Sequence, residues 1–205
     1  FIGTFFLCLT ICVAGVFGLS GPNAPFAIAG TLMVMIYAGA HISGAHYNPA
    51  VTISIWIRGS FDKSEVLPYA ISQLVAGFLA ALIAANLIVT GSFSEDYPIE
   101  IFEPSGTETS IIVSELLFTF ALVFVILNVA TTESNKGNGF YGAAIAVVVL
   151  AGALTVGGIS LASFNPAVSI SLVAVGKMAA ADLWLHLAPQ LFGASAASLV
   201  FKWNV

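Results

Sequence analysis

The sequence predicts an all-α membrane protein of six transmembrane helices and two re-entrant half-helices, arranged as an inverted three-helix repeat. Three observations carry that prediction. The 205 residues are 59% hydrophobic and only 7% charged, against roughly a quarter charged in a soluble domain. Too little polar surface remains to face water, so lipid must be the main solvent. The apolar residues fall into six runs near the roughly 20 residues that a helix needs to cross a hydrocarbon core. Two further apolar segments, each too short to cross, open on the same tetrapeptide, Asn-Pro-Ala-Val, at Asn48 and Asn165. The composition excludes a soluble enzyme and a disordered tail. The net charge of −5, from five Lys/Arg and ten Asp/Glu with no basic run, excludes nucleic acid as a partner.

The first span is expected over residues 1–19, ended by the breaker cluster Ser-Gly-Pro-Asn-Ala-Pro at 20–25. The sequence opens at Phe1 inside an apolar run with no Met or basic leader, which reads as a trimmed chain entering its first span, not as a signal peptide. Cys8 and Cys12 lie four apart on one helix face and match no metal or redox spacing, so they read as packing residues. A second span is expected over 26–42, then a short segment over 51–57 that stops at Arg58-Gly59, then a third span over 65–89. The polar stretch 91–108 holds five acids, Glu95, Asp96, Glu100, Glu103 and Glu108. A fourth span follows over 109–129, a fifth over 140–156, a second short segment that begins at Asn165 and stops at Gly176, and a last span over 180–201.

Each short segment is about 15 Å long at 1.5 Å per residue, half the depth of a bilayer core of about 30 Å. Asn at the N-cap, Pro at the first helical position and Gly past the end are the expected punctuation of a short helix. Non-helical backbone at membrane depth survives only when buried in protein or lining a wet cavity, so both segments are expected to fold back inside the bundle. The two Asn-Pro-Ala-Val copies are 117 residues apart, as are Gln73 and Gln190, while Thr4 and Thr119 are 115 apart in similar settings. The chain thus reads as one channel domain over 1–205: repeat one over about 1–90, repeat two over about 109–205, and a connecting loop over about 91–108. Three spans per copy is an odd number, so the second copy must be inserted upside down. Placing Arg58, Lys63, Lys136 and Lys202 inside, with only Lys177 outside, satisfies the positive-inside rule and puts the acidic loop outside.

Inversion brings the two half-helix N-termini together near the midplane, each carrying roughly half a positive charge. Such a pair repels cations, hydronium included, and offers donors to a neutral oxygen-bearing molecule. The Asn48 and Asn165 amides can cap the helices and still present an N–H to a passing water, which would then turn its own hydrogens outward and interrupt a proton wire.

Two such copies in a duplicated apolar chain are a specific signal, and the sequence resembles the aquaporin (major intrinsic protein) family over essentially its whole length. The segment His-Ile-Ser-Gly-Ala-His-Tyr-Asn-Pro-Ala-Val-Thr at 41–52 is similar to the family's first signature loop, and Ser114-Glu115 with Thr119 resembles its Glu-x-x-x-Thr. The resemblance implies a pore in each subunit, a homotetramer, and pore motifs made by Asn48, Pro49, Ala50, Asn165, Pro166 and Ala167. It also implies a selectivity constriction at four positions with fixed offsets from the two Asn: Ile28, Ala153, Ala162 and Val168. Water-selective members carry an aromatic residue, a His, a small residue and an Arg there. Here the position after Asn-Pro-Ala is Val168, so the expected neck is apolar, uncharged and wide. Ser169 resembles the water-type branch, whereas Leu185 and His186 replace its aromatic pair.

Glu115, the one acid deep in a span, is costly there unless functional or paired. A structural role, accepting hydrogen bonds from irregular backbone beside a half-helix, is preferred over a proton relay. His46 is read as a loop brace ahead of a pH gate, His41 likewise, and His186 as a packing or pore-flank residue. No pattern of catalytic, cofactor-binding or metal-ligating residues is present. The expected function is a passive channel in the lipid bilayer for water and small neutral solutes, with the plasma membrane as the expected site and the termini cytoplasmic. A facilitator of ammonia, carbon dioxide, hydrogen peroxide, small polyols or metalloid hydroxides with low water flux is the first alternative. A non-conducting structural or junctional protein is the second, and an intramembrane enzyme is the weakest.

Overall fold

The computed structural model describes residues 1–90, 95–96, 98–103 and 106–204. Parts of the acidic connection, at 91–94, 97 and 104–105, lie outside the described residues. The described elements are helical and come in the expected order. α1 (Ile2–Thr10) continues through a wider, π-type segment at Ile11–Val16. It is followed by α2 (Ala24–Ser43), the short α3 (Pro49–Arg58), and α4 (Lys63–Ile83) with its own π-type extension at Ala84–Ile88. The second copy comprises α5 (Glu108–Thr131), α6 (Tyr141–Ser160), the short α7 (Pro166–Ala174) and α8 (Trp184–Asn204).

Among the described residues five helices are long and apolar enough to cross a membrane, and Ile2–Val16 is a shorter apolar one. The first element therefore falls short of the expected 1–19 because the chain leaves helical geometry after Val16, before Gly18 at φ +71°. α6 runs four residues beyond the expected Val156, straight through Gly157 and Gly158 to Ser160. Glycine is no stop signal in a membrane helix, where the backbone has no water to turn to.

The termini of the elements follow local chemistry. Asp62 caps α4, accepting from the Ser64 hydroxyl (2.6 Å) and the Ser64 N–H (2.8 Å). Those two donors hold its carboxyl below the usual carboxylate range. Gly59, at φ +93°, closes α3, and Gly176, at φ +88°, follows α7, as their left-handed backbone requires.

Packing repeats between the copies. α1 packs on α2 and α4 as α5 packs on α6 and α8. The short helices cross over: α3 lies against α8, and α7 against α4. α2 and α6 meet each other between the copies. Gly77 of α4 allows this crossing, since the Ala167 carbonyl sits 2.5 Å from where a β-carbon would be. The C-terminal ends of the short helices point to opposite faces. Arg58 donates to the Thr131 hydroxyl and carbonyl (both 3.0 Å) at the end of α5. Lys177, just past α7, donates to the Glu100 carbonyl (3.0 Å) ahead of α5. Arg58, Lys136 and Lys202 gather at one end of the bundle, here termed the basic end, with Lys202 donating to the Ile57 carbonyl (3.4 Å). Cys8 and Cys12 are buried and free, packed where α1 meets α4 and α7.

Candidate functional site: a pore between opposed half-helices

Asn48 and Asn165 stand in near-identical extended backbone, with φ −155° and −156°. Each side-chain oxygen accepts from the backbone N–H two residues on, Ala50 and Ala167, at 2.9 Å. Each amide nitrogen then donates across the copy boundary, Asn48 to the Phe164 carbonyl and Asn165 to the Tyr47 carbonyl, both at 2.9 Å. These reciprocal ties hold the two helix N-termini face to face. Pro49 and Pro166 sit where an N–H would have no partner anyway. One N–H of each Asn amide is used in the tie, and the second is left for the cavity that both residues line.

The turns ahead of the two Asn are irregular in the same way. Gly44, Ala45 and Tyr47 have φ of +79°, +52° and +51°, and their counterparts 117 residues later, Leu161, Ala162 and Phe164, have +62°, +48° and +47°. Left-handed backbone is rare for residues with a side chain, so something must hold it. In the second copy Glu115 does. Its Oε1 accepts from the Ser160 hydroxyl (2.7 Å) and the Ser163 N–H (3.1 Å). Its Oε2 accepts from the Phe164 N–H (2.8 Å), the Ser163 hydroxyl (3.2 Å) and the Gln190 amide (2.8 Å). With N–H donors on both oxygens, this is the pattern of a carboxylate serving as an acceptor hub. In the first copy the Gln73 amide plays that part in the orientation that pairs its groups, its oxygen then accepting from the N–H of Asn48 (2.9 Å) and of Tyr47 (3.3 Å) and from the Thr52 hydroxyl (3.1 Å).

The copies match further. Tyr69 donates its hydroxyl to the Ser43 carbonyl (3.0 Å), the last residue of α2. His186, 117 residues later, places Nε2 2.9 Å from the Ser160 carbonyl, the last residue of α6. That carbonyl can only accept, so Nε2 carries the proton. His46 is buried, with Nδ1 3.2 Å from the Thr52 hydroxyl and its ring packed on Tyr69 and Phe61. Its counterpart Ser163 pairs with Ser169 in the same way, hydroxyl to hydroxyl at 2.9 Å. His41 lies exposed in the last turn of α2. Tyr69, Gln73, Ser160 and Ser163 were not expected as site residues, yet each can be found by stepping 117 residues from a partner.

A cavity of about 590 Å³ passes the two Asn. Ile28, Ala153, Ala162 and Val168 all line it on one side of the pair, and at the basic end it reaches Thr131 and Asn138. Its wall is largely Leu, Ile, Val and Ala, and polar atoms come from the two irregular turns and from the mouth. Among the described residues no group of His, Cys, Asp and Glu is placed to hold a metal.

Known proteins resemble this chain in sequence and in architecture. The model of the major intrinsic protein family matches residues 1–201. Aquaporin NIP1-3 of Oryza sativa subsp. japonica is 35% identical over 212 residues, a match covering 98% of this chain and 70% of that protein. Aquaporin NIP1-4 of the same plant is 34% identical over 181 residues, and there the match spans 64% of the relative's length. Aquaporin Z of Photorhabdus laumondii is 32% identical over 209 residues, covering 94% of this chain and 89% of that protein. The X-ray structure of the aquaglyceroporin from Plasmodium falciparum superposes with a TM-score of 0.81 at 24% identity, over 98% of this chain and 91% of that one. With the multi-pass architecture, the paired half-helices and these matches together, the chain belongs to the major intrinsic protein family, the aquaporin family of passive membrane channels for water and small solutes.

Proposed function

We propose that this chain conducts water and small uncharged solutes through its own cavity and rejects ions and protons at the Asn48–Asn165 pair. The observation that carries this reading is the pair of reciprocal ties, Asn48 to the Phe164 carbonyl and Asn165 to the Tyr47 carbonyl, in a cavity that both Asn line. Two helix N-termini held together repel a cation, and the spare amide N–H groups orient a passing water. Pro49, Ala50, Pro166 and Ala167 shape the two helix starts. Glu115 and His46 support the turns and carry no proton relay, since Glu115 accepts from loop backbone, hydroxyls and the Gln190 amide while His46 faces the Thr52 hydroxyl.

Ile28, Ala153, Ala162 and Val168 form the neck on the acidic side of the pair. It offers a solute neither a fixed cation nor a side-chain donor. That favours a second reading of the substrate: ammonia, carbon dioxide, hydrogen peroxide, small polyols or metalloid hydroxides carried with low water flux. The basic end, with Arg58, Lys136 and Lys202, faces the cytoplasm by the positive-inside rule. The assembly is a homotetramer in the plasma membrane, which native mass spectrometry and localisation of a tagged chain would test.

Stopped-flow shrinkage of reconstituted vesicles, run in parallel with water, glycerol, urea and ammonia, tests the channel. Accelerated flux of at least one is expected, and none would leave only a structural, non-conducting role. Val168→Arg narrows and polarises the neck, and glycerol and urea rates should fall by about tenfold, the effect of ~1.4 kcal/mol in barrier height. Unchanged rates would remove these four residues from the passage.

A further inference from the structure

The 117-residue offset gives every neck residue a counterpart. Val168 pairs with Val51, Ala162 with Ala45, Ala153 with Ile36 and Ile28 with Ile145. All four counterparts line the same cavity, on the basic side of the Asn pair. The passage therefore has two apolar rings, one from each copy. α2 supplies Ile28 to one and Ile36 to the other, eight residues apart, so the rings are about 12 Å apart at 1.5 Å per residue.

The rings are not equal. The acidic-side ring is Ile, Ala, Ala, Val, and the basic-side ring is Ile, Ile, Ala, Val, larger by the three extra carbons of Ile36. Ile36, Ala45, Val51 and Ile145 are 4%, 8%, 2% and 6% exposed and share one buried cluster. On the other side Ile28, Ala153 and Ala162 are only partly buried, and Val168 packs away with Leu172 and Cys8 in a different cluster. α2 is also tied down beside the basic-side ring. Tyr37, next to Ile36, donates to the Gly139 carbonyl (2.9 Å) and accepts from the Ala143 N–H (3.2 Å), pinning α2 to the start of α6 beside Ile145. Its ring fits because Gly142 has no β-carbon. The counterpart of Tyr37 is Leu154, an exposed residue with no such tie.

We propose that the size limit of this channel lies at the ring of Ile36, Ala45, Val51 and Ile145, and that Ile36 is its specificity-determining residue. This rests on the chain being a channel, as proposed above. A solute that clears the neck of Ile28, Ala153, Ala162 and Val168 is sorted by the second ring, where the added Ile removes cross-section and offers no hydrogen bond in return.

The test is the ratio of glycerol to water permeability in reconstituted vesicles for the unaltered chain, Ile36→Val, Ile36→Ala and Ala153→Ile. The ratio should rise in the order Ile, Val, Ala at position 36. Ile36→Ala should gain at least about tenfold, the lower end of what one methylene does to discrimination in an apolar site. Ala153→Ile should lower the ratio only modestly, because it adds a barrier no higher than one already in series. If both position-36 variants conduct with the unaltered ratio, or Ala153→Ile changes it more than Ile36→Ala does, the proposal is overturned. Ile36→Val removes a single methyl group and keeps the test alive should Ile36→Ala fold poorly. An unaltered chain that passes no solute would instead defeat the channel reading itself, and this proposal with it.

Discussion

Replacing Glu115 by Gln changes one atom and separates the acceptor hub from its volume. The carboxylate takes N–H donors on both oxygens: Ser163 on one, Phe164 and Gln190 on the other. An amide keeps only one acceptor oxygen. Turned toward Phe164 and Gln190, it presents its NH₂ to the Ser163 N–H and leaves that buried donor unpaired, at about 1–3 kcal/mol. The bonds it retains also lose their charge assistance, which is worth roughly 1 kcal/mol more. The Ser160 and Ser163 hydroxyls can rotate to accept, so they add little. The expected loss is about 2–4 kcal/mol in total. It falls on the turn that carries Ala162 and the Phe164 carbonyl to which Asn48 is tied. Thermal unfolding in detergent and water flux in vesicles should fall together, while Glu115→Ala should do more damage by leaving both the Ser163 and the Phe164 N–H groups without the carboxylate. An unfolding midpoint for Glu115→Gln equal to that of the unaltered chain would refute the hub.

Other expectations follow from the same geometry. His186→Phe leaves the fully buried Ser160 carbonyl without its donor and should lower stability by about 1–3 kcal/mol, whereas His186→Tyr, the side chain of its counterpart Tyr69, should restore most of it in the same melt. Gly77→Val forces a side chain against the Ala167 carbonyl and should push α7 off α4, abolishing flux; a conducting variant would show that the crossing is not tight. The Asp62 cap has its pKa lowered by Ser64, so its contribution is present above the ordinary carboxylate pKa and is lost as pH falls through the lowered value. Amide exchange at Ser64 and Glu65 should accelerate there, and Asp62→Ala should exchange fast at every pH.

Much of this was legible in the sequence because the features in question are local. Asn-Pro at the start and Gly at the end fix a short helix by backbone chemistry alone, and both short helices lie where that chemistry puts them. The acceptor hubs were harder. Gln73 and Gln190 share a spacing and a residue type, yet one accepts through its oxygen while the other donates through its nitrogen. Their roles depend on whether a carboxylate stands nearby, which is a tertiary fact. Tyr69 and His186 are chemically unlike, and only the carbonyl each one meets reveals a common task. The extent of α6 through Gly157-Gly158 was hidden because glycine as a breaker is a rule learned in water.

The missing neck arginine raises the question of what would exclude ions from the proposed channel, and the answer lies in solvation. A cation entering a ring of Ile, Ala and Val sheds water and gains no ligand, a penalty of several kcal/mol even after relaxation. It then meets two helix N-termini that repel it. An anion would be drawn to those same termini, but it must first cross an apolar ring from either side and pays the same desolvation there. Neither barrier needs a fixed charge at the neck. What an arginine would add is narrowness and directed donors, which discriminate among neutral solutes. On the proposed reading, a chain with Val168 in that place keeps its grounds for rejecting ions and gives up selection at the neck, leaving size to be judged at the second ring, beyond the asparagines.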